Sequence, residues 1–175
     1  VNTFVVKKWF DEGERCSFYT VLVGENKYSE TDRFFMKFEE TDNQYNREAH
    51  ELLRLITYSI GNVYGAIDAF FDRTKNKAQA LPPKPKKGIP EIFQMGINFP
   101  LRLYCFRISE SIVILFNGGI KDQPTDQESK DLSLKFYEAQ QLVNRISEAI
   151  HDGTMIVDND SRTLTDFQGN SQIIL

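Results

Sequence analysis

The chain has 175 residues, enough for one compact domain with a hydrophobic core and too few for several. A formal net charge of −4 and a pI of about 5.3 exclude a surface that coats nucleic acid by bulk charge, so any RNA or DNA site must be a local patch. Hydrophobic residues at 41% and charged residues at 26% are those of a globular protein, and no apolar run approaches the roughly 20 residues of a membrane-spanning helix.

Reading starts at VNTFVVKKWFDEGER, which lacks the long apolar centre and small-residue cleavage site of a signal peptide. The two cysteines, Cys16 and Cys105, lie in separate segments and imply no disulfide framework. The expectation is a cytoplasmic protein without a membrane partner. TFVVKKWF and CSFYTVLVG carry the β-branched and aromatic residues of strands. In SETDRFFMKFEE, Ser29 with Asp32 three positions on predicts a helix N-terminus, and Phe34, Phe35 and Phe38 share a helical face. Residues 43–60 predict the clearest helix, with Ala49, Leu52, Leu53, Ile56 and Ile60 at three-four spacing and Gly61 as its end. The pattern resumes in YGAIDAFFDRTKN, which predicts a second helix or a kinked continuation.

LPPKPKKGIPE then breaks regularity, because prolines fit neither a helix interior nor a central strand. It reads as an extended connector carrying Lys84, Lys86 and Lys87. EIFQMGI predicts a short strand, and FPLRLYCFRISESIVILFNGGIK a hairpin of two apolar strands. DQPTDQESKD reads as a polar loop. In DLSLKFYEAQQLVNRISEAIHDG, Leu132, Phe136, Ala139, Leu142, Val143, Ile146 and Ile150 line one side of a helix that ends at Gly153. TMIVDNDSRTLTDF predicts a small hairpin about DND. Strands grouped apart from helices argue for a single α+β domain over 1–175, with a core of about 17–150, strand-like extensions in 1–16 and 151–175, and an antiparallel sheet of about four to five strands.

The chemistry-bearing residues are few. His50 and His151 are the only histidines, each without a partner at ligand spacing, so no metal or cofactor is expected. NGGIK lacks the spacing of a phosphate loop, and Cys105 falls inside a strand as a small buried thiol. The cations are more informative. Strand alternation puts Arg102, Tyr104 and Phe106 on one face and Leu103, Cys105 and Arg107 on the other. A guanidinium can clamp a phosphate while a phenol ring stacks on a base. Lys121 can add charge to the same cleft, with Lys84, Lys86 and Lys87 at its rim and Arg107 as a further RNA contact. The competing reading has Arg102 snorkelling at a sheet edge, Tyr104 in the core and the lysines on a solvated loop.

The succession SFYTVLV, SETDRFFMKFEE, long helix, IPEIF, LRLYCFRI and SIVILFNGGIKDQ resembles the RelE/HigB-like toxins of bacterial toxin–antitoxin pairs over roughly residues 17–150. Glu91-Ile92-Phe93 stands for the family's E-L-R strand, Leu101-Arg102-Leu103-Tyr104 for its R-x-Y strand, and Ile112-Val113-Ile114-Leu115 with Lys121 for its strand ending in lysines. The resemblance implies an antiparallel sheet with an N-terminal helix pair and a C-terminal helix, helices packed on one side. It also implies metal-independent, ribosome-associated mRNA cleavage by 2′-hydroxyl attack, and a cognate antitoxin protein as partner. Arg102 would then clamp the phosphate, Lys121 would stabilise its charge, and Tyr104 would stack or position a proton. Phe93 stands where the family commonly has an arginine, and Asp122-Gln123 where a second basic residue is usual. These departures sustain a second expectation, a non-catalytic module of the same fold that binds a protein partner.

Overall fold

A computed structural model describes residues 3–75, 77–121 and 126–175. Strand β1 (Phe4–Phe10) runs antiparallel to β2 (Ser17–Val23). Helix α1 (Glu30–Met36) follows, and the Ser29 side chain accepts a hydrogen bond from the Asp32 N–H at 3.1 Å, the cap that the sequence predicts. Helix α2 (Asn46–Arg54) continues into a π-helical segment, Leu55–Tyr64. Gly61 therefore does not end the helix, contrary to expectation. Its carbonyl oxygen instead accepts the N–H groups of Arg15 and Cys16 at 2.8 and 3.0 Å. Gly13 packs so closely on it that a Cβ there would lie 2.2 Å from the same oxygen. The turn comes at Gly65, at φ +77°, where glycine is favoured.

The helix expected in YGAIDAFFDRTKN shrinks to one 3-10 turn, Asp68–Phe70, followed by β3 (Thr74–Lys75). The backbone of Ala66 is diverted: its N–H goes to Glu110 O at 2.8 Å and its carbonyl to the Arg107 Nε at 2.6 Å. Ala78–Leu81 forms β4, and the strand expected at EIFQMGI is instead helix α3 (Pro90–Met95). Pro90 at the first helical position explains the difference, since its fixed φ suits a helix start and its missing N–H is not needed there. β5 (Leu101–Arg107) and β6 (Ile112–Ile120) form the predicted hairpin. Helix α4 (Asp126–Asp152) begins inside the segment read as a loop, whose residues 122–125 lie outside the described residues. β7 (Met155–Asp158) and β8 (Thr163–Asp166) make the predicted small hairpin, and β9 (Ile173–Ile174) ends the chain's regular structure.

The α+β class holds, but the main sheet is larger than expected and mixed. Its order is β3-β4-β5-β6-β2-β1-β9, seven strands, with β7-β8 as a separate pair. The pairing of β2 with β6 is parallel, because the helices carry the chain across to β4 and the meander β4-β5-β6 then fills back towards β2. Both terminal segments join this sheet, through β1 and β9.

Each face has its own core, where helices on one side only were expected. Phe18, Leu103 and Leu115 pack with Phe34, Leu52, Ile56 and Ile60 from α1, α2 and the π-helical segment. Tyr19, Ile114 and Phe116 pack with Leu142, Val143 and Ile146 of α4. Each such fully buried side chain contributes on the order of 1.5–3 kcal/mol. Tyr19 also ties in the small hairpin, its hydroxyl oxygen accepting the Leu164 N–H at 2.8 Å.

Pairing between β2 and β6 stops at Ile114, and α1 takes the vacated side. Thr31 donates to the Phe116 carbonyl at 3.1 Å and lies 2.7 Å from the Thr20 hydroxyl. Lys37 donates to Gly118 O and Asn117 Oδ1, both at 3.3 Å, and Asn117 Nδ2 donates to the buried Glu30 carboxylate at 3.0 Å. Thr31→Val keeps the shape but removes these hydroxyl bonds. We expect it to cost about 1–3 kcal/mol in urea unfolding, with the exposed Thr41→Val unchanged as control.

Candidate functional site

The β5–β6 ladder carries an irregularity between Leu103 and Cys105: Leu103 faces Gly118 while Cys105 faces Leu115, so Phe116 and Asn117 together oppose Tyr104. This is a β-bulge, a device that re-aims side chains. Around it, the chain approaches itself closely. A Cβ on Gly118 would lie 1.8 Å from the Arg102 carbonyl oxygen, whereas one on Gly119 would meet nothing nearer than Leu132 Cδ1 at 3.6 Å. Gly119 is the cross-strand partner of Arg102, and its missing side chain leaves space under the first turns of α4.

On the same face, a cavity of about 430 Å³ is lined among the described residues by Arg102, Tyr104, Lys121, Lys84, Arg73 and Asp72, with Leu132, Ser133 and Phe136 of α4 and Ala80 of β4. Three of the sequence-derived site residues, Arg102, Tyr104 and Lys121, thus meet at one cavity, with Lys84 as the fourth. Arg102 is only 4% exposed, and its Nη1 donates to the carbonyls of Phe99 and Leu101 at 2.9 and 2.8 Å. These bonds fix the guanidinium plane in the cavity wall. It is not buried against Glu91, whose carboxylate accepts from the Tyr64 hydroxyl at 3.3 Å. Lys121 is exposed, its backbone N–H held by Pro100 O at 2.6 Å.

The remaining candidates part company. Lys86 pairs with Asp72, whose other oxygen accepts the Lys84 N–H at 3.1 Å. Burial alone would raise the Asp72 carboxyl, but the hydrogen bonds from Lys86 and Lys84 and the charges of Lys86 and Arg73 outweigh it and hold the group below its ordinary range. Lys87 is exposed on the connector and lines none of the cavities described here. Arg107 lies on the opposite face of β5 from Arg102, as the alternation predicts. There it pairs with Asp68 at 2.8 Å and lies 5.6 Å from the Phe71 ring, pinning the 3-10 turn. The residue that sequence reading missed is Arg73, whose Nε donates to Pro82 O at 2.8 Å. It fell inside an expected helix, so nothing in the local pattern pointed it at β5.

Tyr104 is 9% exposed and sits edge-to-face with Phe136 at 5.4 Å between ring centres. Burial pushes its phenol up to about 12, against a smaller opposing pull from Arg102. At neutral pH it is therefore a proton donor and not a base, and its ring face is not open to a base from solvent. No histidine is among the described lining residues, and no cluster of three His, Cys, Asp or Glu among the described residues is placed to hold a metal. Chemically, the arrangement offers an anion one buried, one half-buried and two exposed cations, beside one phenol and one committed carboxylate.

Beside this cavity lies a second hollow of about 590 Å³ that shares Arg73, Lys84 and Lys121 with it. Phe93 stands on its wall, from helix α3 instead of a strand. No family model matches the chain, and no curated protein or solved structure shows a significant match to it.

Two measurements check this geometry. Gly118→Ala forces a Cβ into the Arg102 backbone, so we expect a loss of about 1–3 kcal/mol or more in urea unfolding, with Gly119→Ala tolerated. For Tyr104, folded stability is intact below pH 10, the unfolded value. As pH rises from 10 to about 12 the unfolded phenol ionises while the folded one stays protonated, at a cost of up to about 3 kcal/mol. Tyr104→Phe removes that part of the alkaline decline in thermal unfolding followed from pH 8 to 11.5.

Proposed function

We propose that the protein is a divergent relative of the RelE/HigB-like toxins, with its cavity receiving a backbone phosphate of single-stranded mRNA presented on the ribosome. The observation that carries this reading is the convergence of Arg73, Lys84, Arg102 and Lys121 on one cavity in a chain of net charge −4. Against an acidic background such a focus of positive charge suits an anionic ligand, and a phosphate matches a planar guanidinium and ammonium groups. A helix pair followed by a strand meander, with Arg102 and Lys121 at its rim, also supports the kinship.

In cleavage, the ribose 2′-oxygen attacks the adjacent phosphorus and passes its proton to water, and the bond to the 5′-oxygen breaks as that oxygen takes a proton from a donor. Arg102, held by two backbone carbonyls, is pre-oriented to stabilise the extra charge on the phosphoryl oxygens, and Lys121 adds to it. Tyr104, protonated at neutral pH, suits donation to the leaving oxygen and not removal of the 2′ proton. The neutralising partner would be a cognate antitoxin protein.

One observation favours the second reading, a non-catalytic module of this fold. The single carboxylate among the described lining residues, Asp72, is already committed to Lys86 and Lys84, which leaves no evident base for the 2′-hydroxyl. A phosphate site without a positioned base is better suited to binding than to cutting, since general-base catalysis contributes on the order of 10²–10⁴-fold.

Induced expression in bacteria with mapping of new mRNA 5′ ends separates the two. Lys121→Ala is the better variant, because Lys121 is exposed while Arg102 also supports the backbone. Cleavage predicts growth arrest with ribosome-dependent ends, and a loss of roughly a hundredfold in their yield in Lys121→Ala. Normal growth with abundant protein and no new ends would overturn the nuclease reading in favour of the binding module.

A further inference from the structure

The stacking role that alternation suggests for Tyr104 does not suit a ring that is 9% exposed and covered by Phe136. A single-stranded nucleic-acid site ordinarily pairs a cationic track with an aromatic face that is open to solvent. Such a face stands next door. Phe93 is 54% exposed and Ile97 is 74% exposed, and both border the hollow that shares Arg73, Lys84 and Lys121 with the Arg102 cavity. Helix α3 presents Phe93 outward because Ile92, its neighbour, is the residue that goes into the core. Two large apolar side chains left in water beside three cations match a nucleotide, whose base seeks an apolar face and whose phosphate seeks the charges.

We propose that Phe93 is the base-stacking residue of this site. It would receive the nucleobase next to the phosphate in the Arg102 cavity, with Arg73, Lys84 and Lys121 holding the backbone between the two. The inference rests on the RNA reading and extends it from one phosphate to at least two nucleotide units. It also gives Phe93 a role of its own: the residue that replaces a basic one in the resemblance supplies stacking where charge was expected.

The test is equilibrium binding of a fluorescein-labelled oligouridine to the full chain, beside an oligomer of equal length and charge in which tetrahydrofuran spacers replace the nucleosides. Phe93→Ala should weaken oligouridine binding roughly tenfold and leave the spacer oligomer unchanged, and Phe93→Tyr should restore the wild-type affinity. In Phe93→Trp, the new indole should be quenched on addition of oligouridine. Equal oligouridine affinity in wild type and Phe93→Ala would overturn the stacking role while leaving the phosphate site standing. An equal loss on both oligomers would also overturn it, as a structural effect. Failure of the wild-type chain to bind oligouridine at all would overturn the RNA reading itself, and would leave the Phe93 and Ile97 surface to a protein partner.

Discussion

Beyond Ile114, strand β6 has no strand on its β2 side, and buried backbone groups left without partners cost on the order of 1–3 kcal/mol each. Helix α1 meets this need with side chains: Thr31 reaches the Phe116 carbonyl and Lys37 the Gly118 carbonyl, while Glu30 secures Asn117. A β-strand is thus completed by a helix. One side of the end of β6 is held by its ladder with β5, and the other by hydrogen bonds from α1 and not by continuation of the β2 ladder. Ser29 matters to the site for the same reason, since its cap fixes where α1 begins and so which residues face the strand.

What could be read from sequence follows from the range of the forces involved. β1, β2, β5, β6, the α1 cap and α4 announce themselves through local periodicity and composition, and the structure has them close to where the pattern puts them. Gly61 was misread because a glycine that ends a helix and a glycine that lets another segment touch one look alike in one dimension. Ala78–Leu81 has too few β-branched residues to signal a strand, and becomes one only because β5 offers an edge. The parallel pairing of β2 with β6 depends on segments some 90 positions apart and leaves no local trace.

The same distinction runs through the site. Alternation sorted Arg102 and Tyr104 from Arg107, a purely local inference. It could not report that Tyr104 would be closed over by Phe136, that Asp68 would occupy Arg107, or that Asp72 would occupy Lys86. Arg73 reaches the site through the fold of the connector, where the Pro82 carbonyl holds its side chain. Phe93 falls in a segment that reads as a short strand, whereas Pro90 occupies the first helical position and the structure makes the segment helix α3.

The bulge opposite Tyr104 also acts as a phase shift. Before it, the even-numbered residues Ile112, Ile114 and Phe116 of β6 face α4; after it, Gly119 lies opposite Arg102 on that face, and Ile120 packs into the other core. Lys121 therefore reaches the Arg102 cavity on an odd number, which an uninterrupted strand starting from Ile112 would have sent the other way. Losing one residue between the bulge and Lys121 would keep the bulge and every charged group in the chain, yet it would carry Lys121 to the far side of the sheet. For this protein, the length of β6 is as much a determinant of the site as the identity of the residues along it.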